Sequence, residues 1–169
     1  YSQLLAEAVA RRRAEREGRP APKPRRTAVI DLPVTAHLDE SYVEDEGQRL
    51  DIYRRLGVAA DEATISGIGD ELRDRFGELP PEAERLLEVA RLRVGASEVG
   101  LASLLLEERR LAIRLGDVDR AAARRLVDEL PGHPLDLEGN LLRSRAALPP
   151  ARAWDLAVAV VRALAAPLA

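Results

Sequence analysis

Apolar residues recur three and four positions apart through most of the first half of the chain, which is the spacing of one helix face. The pattern predicts four helices, over residues 1–17, 44–60 and about 65–76, and from Pro80-Pro81 onward. Gly77 is typical of the position after a helix C-terminus, where the left-handed backbone region is common. Proline at 80 and 81 is typical of a first helical turn, because the N–H that proline lacks would have no partner there.

Two of these helices have an apolar face that we expect to be buried. In the helix over 44–60, Leu50, Tyr53 and Leu56 are predicted to face inward. The helix that begins at Pro81 carries a longer stripe, formed by Ala83, Leu87, Ala90 and Val94 and widened by Leu86 and Val89.

Strand-like patterns alternate with helical ones in the rest of the chain. "TAVIDLPVTAHL", residues 27–38, predicts one strand or two short pieces, with Pro33 at an edge or a bend because it cannot donate to a ladder. Residues 101–116 predict two short strands around a charged turn at 107–110, although their leucines could also belong to a helix. Residues 133–148 predict a hairpin around 138–140. Asp117 is the predicted N-cap of a helix over 118–130, and Pro149-Pro150 begins the last helix.

The order of these elements indicates an α+β fold, a single compact domain of several helices with short strands and hairpins. "GRPAPKPRR", residues 18–26, interrupts the first helix with three prolines and predicts an extended linker. We therefore expect an N-terminal helix and a basic, proline-rich linker over 1–26, followed by the domain over 27–169.

Composition narrows the function classes. The chain has 169 residues, 46% of them hydrophobic and 33% charged, which is typical of a globular protein. The absence of cysteine excludes disulfides and thiolate metal sites, and it fits a reducing cytoplasm. The chain contains no methionine and starts at Tyr1, so we expect it to be a piece of a longer product. A net charge of −3 does not favour nucleic-acid binding by the molecule as a whole.

The residues that commonly carry catalysis occur here without the spacing that catalysis needs. Gly67-Ile68-Gly69 has no third glycine and no following lysine, so a flexible approach to a helix explains it better than a phosphate loop. His37 and His133 are the only histidines and are far apart in sequence. Asp117 and Asp119 resemble the start of a calcium loop, but the later ligand positions are filled by "RAAARR". We expect no enzyme activity, cofactor or metal.

One segment is a candidate for nucleic-acid contact. Basic residues cluster between 11 and 26, and the candidates are Arg11, Arg12, Arg13, Arg25 and Arg26. Clustered positive charge is what phosphate neutralisation requires. Glu15 and Glu17 dilute it, and the segment has no aromatic residue on which a base would stack. A solvated helix face and linker is the alternative interpretation.

A second candidate lies at "GDELRDRFGELPPEAERLL", residues 69–87. Residues three and four apart share a helix face, so Glu71, Asp74 and Arg75 are predicted to project together. Three interpretations are open: an acid/base pair of a hydrolase, for instance Asp74 with Glu78; a solvated face with a local Glu71–Arg75 pair; or a surface that binds a partner. A solvated face is the default interpretation on charge alone, but it does not explain the rigid frame formed by Phe76, Gly77 and the proline pair.

Two motifs in this region resemble a known family. "YVEDEGQRLDIYRRL" (residues 42–56) and "DELRDRFGELP" (residues 70–80) are similar to the C-terminal domain of the bacterial transcription-repair coupling factor, Mfd. The apolar positions of residues 1–9 resemble the helix that leaves the family's motor region. Where the family usually has proline shortly before the motif tyrosine, this chain has "LDESY" (residues 38–42). The ATP-binding motifs of the motor are absent from the chain.

The resemblance implies a regulatory role. In that family the whole protein is a double-stranded DNA translocase that displaces stalled RNA polymerase and recruits the excision-repair protein UvrA. The C-terminal domain is understood to be autoinhibitory, docking on the UvrA-binding module of the same chain and masking it. The family's docking residues correspond by position to Glu71, Asp74 and Arg75. The resemblance thus implies a non-catalytic domain with an intramolecular partner, in a cytoplasmic bacterial protein.

Overall fold

The computed structural model describes residues 26–166, so the predicted helix over 1–17 and all of the linker except Arg26 lie outside the described residues. Within that range the chain forms five helices and five strands. The strands are β1 (Val29–Asp31), β2 (Ser103–Glu107), β3 (Arg110–Arg114), β4 (Leu135–Glu138) and β5 (Leu141–Ser144). The helices are α1 (Glu46–Val58), α2 (Glu62–Phe76), α3 (Pro81–Val99), α4 (Arg120–Glu129) and α5 (Pro150–Ala165).

The five strands form one mixed sheet in the order β1-β2-β3-β5-β4. β1 runs parallel to β2, and every other pair is antiparallel, so the two predicted hairpins are confirmed. β1 lies at an edge, and Pro33 follows its last residue by two positions, as a residue without an N–H donor should. The predicted α+β class and element order are therefore confirmed over the described residues.

Aspartate side chains cap the N-termini of three of the five described helices. The Asp45 carboxylate accepts the N–H of Gln48 at 2.8 Å and begins α1. The Asp61 carboxylate accepts the N–H of Thr64 at 2.7 Å, so α2 begins about three residues earlier than predicted. Gly67 and Gly69 consequently lie inside α2, and the prediction of a flexible approach was wrong.

The predicted cap of α4 was also wrong. Asp119 provides it, since its side chain accepts the N–H of Ala121 at 2.9 Å. The backbone N–H of Asp117 instead donates to the carbonyl of Gly100 at 2.8 Å, which holds Asp117 in the turn after β3. The helix therefore starts two residues later than the sequence indicated.

Two apolar clusters meet at α3. One, the helical cluster, joins α1, α2 and one side of α3, and the predicted stripe of α3, Ala83, Leu87, Ala90 and Val94, is confirmed as part of it. The other, the sheet cluster, joins one face of the sheet to α3, α4 and α5 around Trp154. α3 is buried on both sides and is the element that positions the helical layer on the sheet layer.

The predicted inward face of α1 needs one correction. Leu56 is buried and Tyr53 is half-buried, but Leu50 is 55% exposed. Leu50 precedes Leu56 by six residues, which places it roughly 120° away around the helix. Ile52, four residues before Leu56, fills the inward position instead and is 1% exposed.

Candidate partner-binding face on helix α2

Helix α2 is held close to α3 along one side. Ile65, Ile68 and Leu72 are buried in the helical cluster. A Cβ built on Gly69 would lie 3.0 Å from the Leu87 Cδ1 atom of α3, so the missing side chain is what allows this close approach. Packing of this side leaves Asp74 and Arg75 exposed, whereas Glu62 at the start of α2 contacts α3, with its carboxylate 2.7 Å from Arg91 Nε.

Glu71 is bound by an arginine of the neighbouring helix. Arg55 of α1 donates from both terminal nitrogens, Nη1 to Oε2 at 2.6 Å and Nη2 to Oε1 at 3.2 Å. Arg75 approaches the same Oε2 at 3.6 Å, and Asp51 lies 3.8 Å from Arg55 Nη1. The Arg55 hydrogen bonds hold the pKa of Glu71 below its ordinary value and raise the pKa of Arg55. Glu71 therefore ties α1 to α2.

Asp74 is in a different situation. It is exposed, and within residues 26–166 its carboxylate forms neither an ion pair nor a hydrogen bond with another side chain. Arg75 lies beside it with its guanidinium carbon 5.0 Å from the centre of the Phe76 ring, a cation–π contact that limits its freedom. The structure thus joins Glu71 to Arg75, as predicted for a local pair, and leaves the carboxylate of Asp74 open.

The C-terminal end of α2 is fixed by Tyr42. Its hydroxyl donates its one proton to the Gly77 carbonyl oxygen at 2.8 Å, and the Leu72 carbonyl oxygen lies 3.2 Å from the same hydroxyl. Its ring packs against Phe76 with 5.9 Å between centroids. Burial raises the pKa of Tyr42 above its ordinary value, while the charge of Arg73 opposes that shift. Gly77 follows the helix with φ 88° and ψ −169°, a positive-φ conformation that favours glycine, although ψ lies outside the left-handed helical region predicted for it.

Sequence reasoning missed Arg55 and Tyr53 as parts of this frame. The Tyr53 hydroxyl accepts the N–H of Leu38 at 2.7 Å and so ties α1 to the segment that precedes Tyr42. Arg55 follows Asp51 by four residues, which indicates a pair within α1. Its stronger partner is on another helix, and no spacing within the chain reveals that contact.

The geometry does not favour an acid/base pair. Asp74 and Glu78 are both exposed, whereas a catalytic carboxyl generally requires a water-excluded site that shifts its pKa. In the described part of the chain, no three side chains of the metal-ligating types come together. His37 is exposed, and His133 lies in the turn before β4 with φ 46°. None of the helices described here combines the length and the apolar character that crossing a bilayer requires.

Of the five arginines predicted to contact nucleic acid, one lies within the described residues. Arg26 is exposed at the point where the described chain begins. Arg11, Arg12, Arg13 and Arg25 lie outside the described residues.

Comparison with known families matches the region that contains this face. The model of the TRCF domain matches residues 32–126, which is more than half of the chain and includes all of α1, α2 and α3. The chain belongs to the TRCF domain family. The resemblance drawn from residues 42–56 and 70–80 is thereby confirmed.

The curated relatives are transcription-repair-coupling factors of bacteria. That of Bacillus subtilis is 33% identical over 140 residues, covering 83% of this chain and 11% of the relative. That of Mycobacterium tuberculosis is 46% identical over 79 residues, 44% of this chain and 6% of the relative. That of Escherichia coli is 35% identical over 104 residues, 62% of this chain and 9% of the relative. The chain thus spans about a tenth of the length of these relatives.

A solved structure shares the fold. The crystal structure of the C-terminal domain of transcription-repair coupling factor superposes with a TM-score of 0.67 and covers 83% of this chain and 92% of that one. Its sequence identity to this chain is 16%, so the likeness concerns the arrangement of the elements.

Proposed function

We propose that the chain is a non-catalytic, autoinhibitory domain that docks through α2 on the UvrA-binding module of the same protein and masks it. In this proposal the whole protein is a cytoplasmic bacterial DNA translocase that acts on RNA polymerase and double-stranded DNA and recruits UvrA. Residues 27–169 would form the regulatory domain, and residues 1–26 would connect it to the preceding motor.

The observation that carries the proposal is the open carboxylate of Asp74 next to an immobilised Glu71–Arg75 pair. The backbone of a packed helix needs no ordering when an arginine of a partner binds a carboxylate on it, and charge-assisted hydrogen bonds fix the register of such an interface. Arg75, restrained by Glu71 and Phe76, presents the complementary charge beside it. The three residues offer both signs of charge on one rigid edge.

The hydrogen bonds between Arg55 and Glu71 give Glu71 and Asp74 different roles in this proposal. Glu71 already accepts two hydrogen bonds from Arg55, so a partner arginine would have to share or displace them. Asp74 has no such competitor among the described residues. Asp74 is therefore the primary docking contact, and Glu71 chiefly sets the position of α2 and Arg75.

A binding experiment between separated parts tests the proposal. The 169-residue chain and the UvrA-binding module of its parent protein are mixed, and their affinity is measured by calorimetry at two salt concentrations. We expect saturable binding that weakens at high salt and at least tenfold with Asp74→Arg. Asp128→Arg on α4, another exposed aspartate, is the matched control and should bind like the unmodified chain. Equal affinities for the two variants would reject α2 as the docking face.

The alternative function, a nucleic-acid-binding accessory module acting through the basic segment 11–26, makes an opposite prediction. The affinity of the chain for duplex DNA would then fall steeply as the salt concentration rises, and removal of the residues before Thr27 would abolish the binding. Salt-insensitive or absent DNA binding would remove this alternative without affecting the docking proposal.

A further inference from the structure

A groove lies where α3 and α5 end and α4 begins. It has a volume of about 470 Å³ and is lined by the last turns of α3 and α5 and by residues around the start of α4. Val99, Val118 and Leu164 form most of its apolar part, and each of them is half-buried. The groove thus has room for a segment of chain and partly exposed apolar side chains for that segment to cover.

The charged side chains that line this groove are all acidic. They are Glu98 of α3 and, just before α4, Asp117 and Asp119, and all three are exposed. Within residues 26–166 none of the three forms an ion pair. We refer to the site formed by these carboxylates and the three apolar side chains as the acidic groove.

The end of α3 adds to the negative potential of the acidic groove. A helix C-terminus has a partial negative charge that a basic residue normally complements, yet the last turn of α3 contains Glu98 and no basic residue. Arg93, the arginine of α3 nearest to Glu98 in sequence, is turned toward α1, where it donates to two carbonyl groups. Arg162, in the last turn of α5, lines a different hollow. No described residue that lines the groove therefore compensates its charge.

The described chain begins beside this groove. Arg26 lines a second hollow, and Glu98 lines both hollows. Two residues after Arg26, the N–H of Ala28 donates to Ser97 Oγ at 2.9 Å, next to Glu98 in α3. The segment 18–25 immediately precedes Arg26, and a proline-rich chain advances about 3 Å per residue, or about 25 Å over this segment. The segment is therefore tethered within reach of the acidic groove.

We propose that the acidic groove binds the basic, proline-rich segment 18–25 of the same chain. The segment contains Arg19, Lys23 and Arg25 and no acidic residue, so its charge is opposite to that of the groove. In the described part of the chain, no three acidic side chains gather closely enough to hold one metal ion, so the carboxylates of the groove suit charges spaced along a segment.

Docking of this segment has a structural consequence. Its three prolines restrict the unbound chain, which lowers the conformational entropy that docking costs. A docked segment leaves the domain in a fixed direction, whereas a free one lets the domain swing on its linker. The acidic groove thus sets how residues 27–169 are oriented relative to the residues that precede the linker.

The acidic groove is separate from the candidate face on α2. Val99, Val118 and Leu164 pack against the sheet cluster, whereas the buried residues of α2 belong to the helical cluster. Asp74 stays exposed whether or not the segment is docked. The inference therefore stands or falls independently of the proposed autoinhibition.

Nuclear magnetic resonance of the 169-residue chain tests the docking. Nitrogen-15 relaxation gives an order parameter for each backbone N–H of the segment, and Arg19, Ala21, Lys23 and Arg25 provide such groups between the prolines. We expect order parameters above about 0.6 for these four residues, because lower values are typical of a flexible backbone.

Substitutions locate the contact. Glu98→Gln combined with Asp117→Asn removes two charges of the acidic groove and should lower these order parameters below about 0.6; Asp119 is kept because it caps α4. Glu40→Gln combined with Glu78→Gln removes the same charge at two exposed positions before α1 and α3 and should leave them unchanged. Order parameters below about 0.6 in the unmodified chain, or the same values in both double variants, would overturn the inference.

Discussion

Glu71 and Asp74 are carboxylates on one face of one helix, yet their surroundings give them different roles. Glu71 is half-buried and held by a two-pronged hydrogen bond from Arg55, whereas Asp74 is exposed and free of partners among the described residues. A bound carboxylate contributes to stability, and an open one is available for recognition. Reversing both charges at once would therefore mix a folding effect with a binding effect.

The pKa of Glu71 gives this distinction a pH dependence. Its folded-state pKa lies below the ordinary value because of the Arg55 hydrogen bonds, so the pair stabilises the fold above the unfolded-state pKa. That contribution is lost as the pH falls through the lower folded-state pKa. Glu71→Gln should cost about 0.5–1 kcal/mol at neutral pH, a value kept small by solvent screening. Urea titrations should show that this difference disappears at acidic pH.

A matched substitution separates the ion pair from the general acid sensitivity of the fold. Glu40 is an exposed glutamate in the turn before α1, with no ion pair among the described residues. Glu40→Gln should leave the pH profile of stability unchanged. A Glu71→Gln protein that loses stability on acidification as steeply as the unmodified chain would show that Arg55 does not hold Glu71 in solution.

Tyr42 provides a second test at the scale of the residue. Tyr42→Phe keeps the ring contact with Phe76 and removes the hydroxyl that binds the Leu72 and Gly77 carbonyls. We expect a loss of about 1 kcal/mol in the free energy of unfolding and faster amide exchange at the end of α2. An unchanged exchange rate there would contradict the role of Tyr42 in fixing this end.

At the scale of the residue, the sequence predicts contacts within a helix better than contacts between helices. Spacing within α2 correctly indicates the Glu71–Arg75 pair, because residues four apart are neighbours on any helix. It does not indicate Arg55, sixteen positions earlier, because the packing of α1 on α2 creates that contact. Leu50 shows the same limit, since only tertiary packing decides which side of α1 is inward.

At the scale of the element, the two glycines of α2 differ in the space available for a side chain. Nothing lies within 4 Å of a Cβ built on Gly67, whereas one on Gly69 meets Leu87 at 3.0 Å. Gly69 thus faces α3 at a position where an added methyl group would crowd Leu87. Gly67 merely lowers helix propensity.

Alanine substitutions at these positions should act in opposite directions. Gly67→Ala should stabilise the fold by up to about 1 kcal/mol through helix propensity. Gly69→Ala should instead reduce the free energy of unfolding by about 1–3 kcal/mol, because the new methyl group crowds buried Leu87. The two free energies of unfolding, measured by urea denaturation, make each variant the control for the other. Equal stabilisation by both would mean that α2 does not lie this close to α3.

The sequence predicts the boundary of an element where the backbone conformation at that boundary requires a particular residue type. Gly77 has a positive φ and Pro81 begins α3, as predicted, because few other residues suit those positions. Aspartate caps are less decisive, since Asp117 and Asp119 both qualify and the hydrogen bond to Gly100 decides between them. The charged turn predicted at 107–110 is present, but the positive φ of Glu108 and Arg109 was not predicted, because neither residue is glycine.

At the scale of the whole molecule, a hydrogen-bond path through α3 links the two apolar clusters of the described residues. Arg93 donates from Nη2 to the carbonyls of Leu56 and Ala59 at 2.7 and 2.9 Å, at the end of α1. The Arg93 carbonyl accepts the Ser97 hydroxyl at 2.7 Å, and Ser97 Oγ accepts the N–H of Ala28 at 2.9 Å, next to β1. Burial lowers the pKa of Arg93. The path ties the helical layer to the edge of the sheet.

Ser97→Ala tests this connection. It leaves the N–H of buried Ala28 without its acceptor and should cost about 1–3 kcal/mol in the free energy of unfolding. Ser66→Ala on α2 removes a hydroxyl whose one hydrogen bond among the described residues is to the exposed Glu62, at 3.2 Å, and this change should be nearly neutral. Similar losses for both variants in urea titrations would show that the path through Ser97 adds nothing.

The most direct test of the proposed autoinhibition is the affinity of the full-length parent protein for UvrA. Asp74→Arg should open the docked state without unfolding the domain, because Asp74 is exposed and supports no internal contact among the described residues. Titration with purified UvrA is predicted to give at least tenfold tighter binding for Asp74→Arg than for the unmodified protein or the Asp128→Arg control. Equal affinity of all three proteins, with the domain still folded, would contradict the claim that the chain masks the UvrA-binding module through α2.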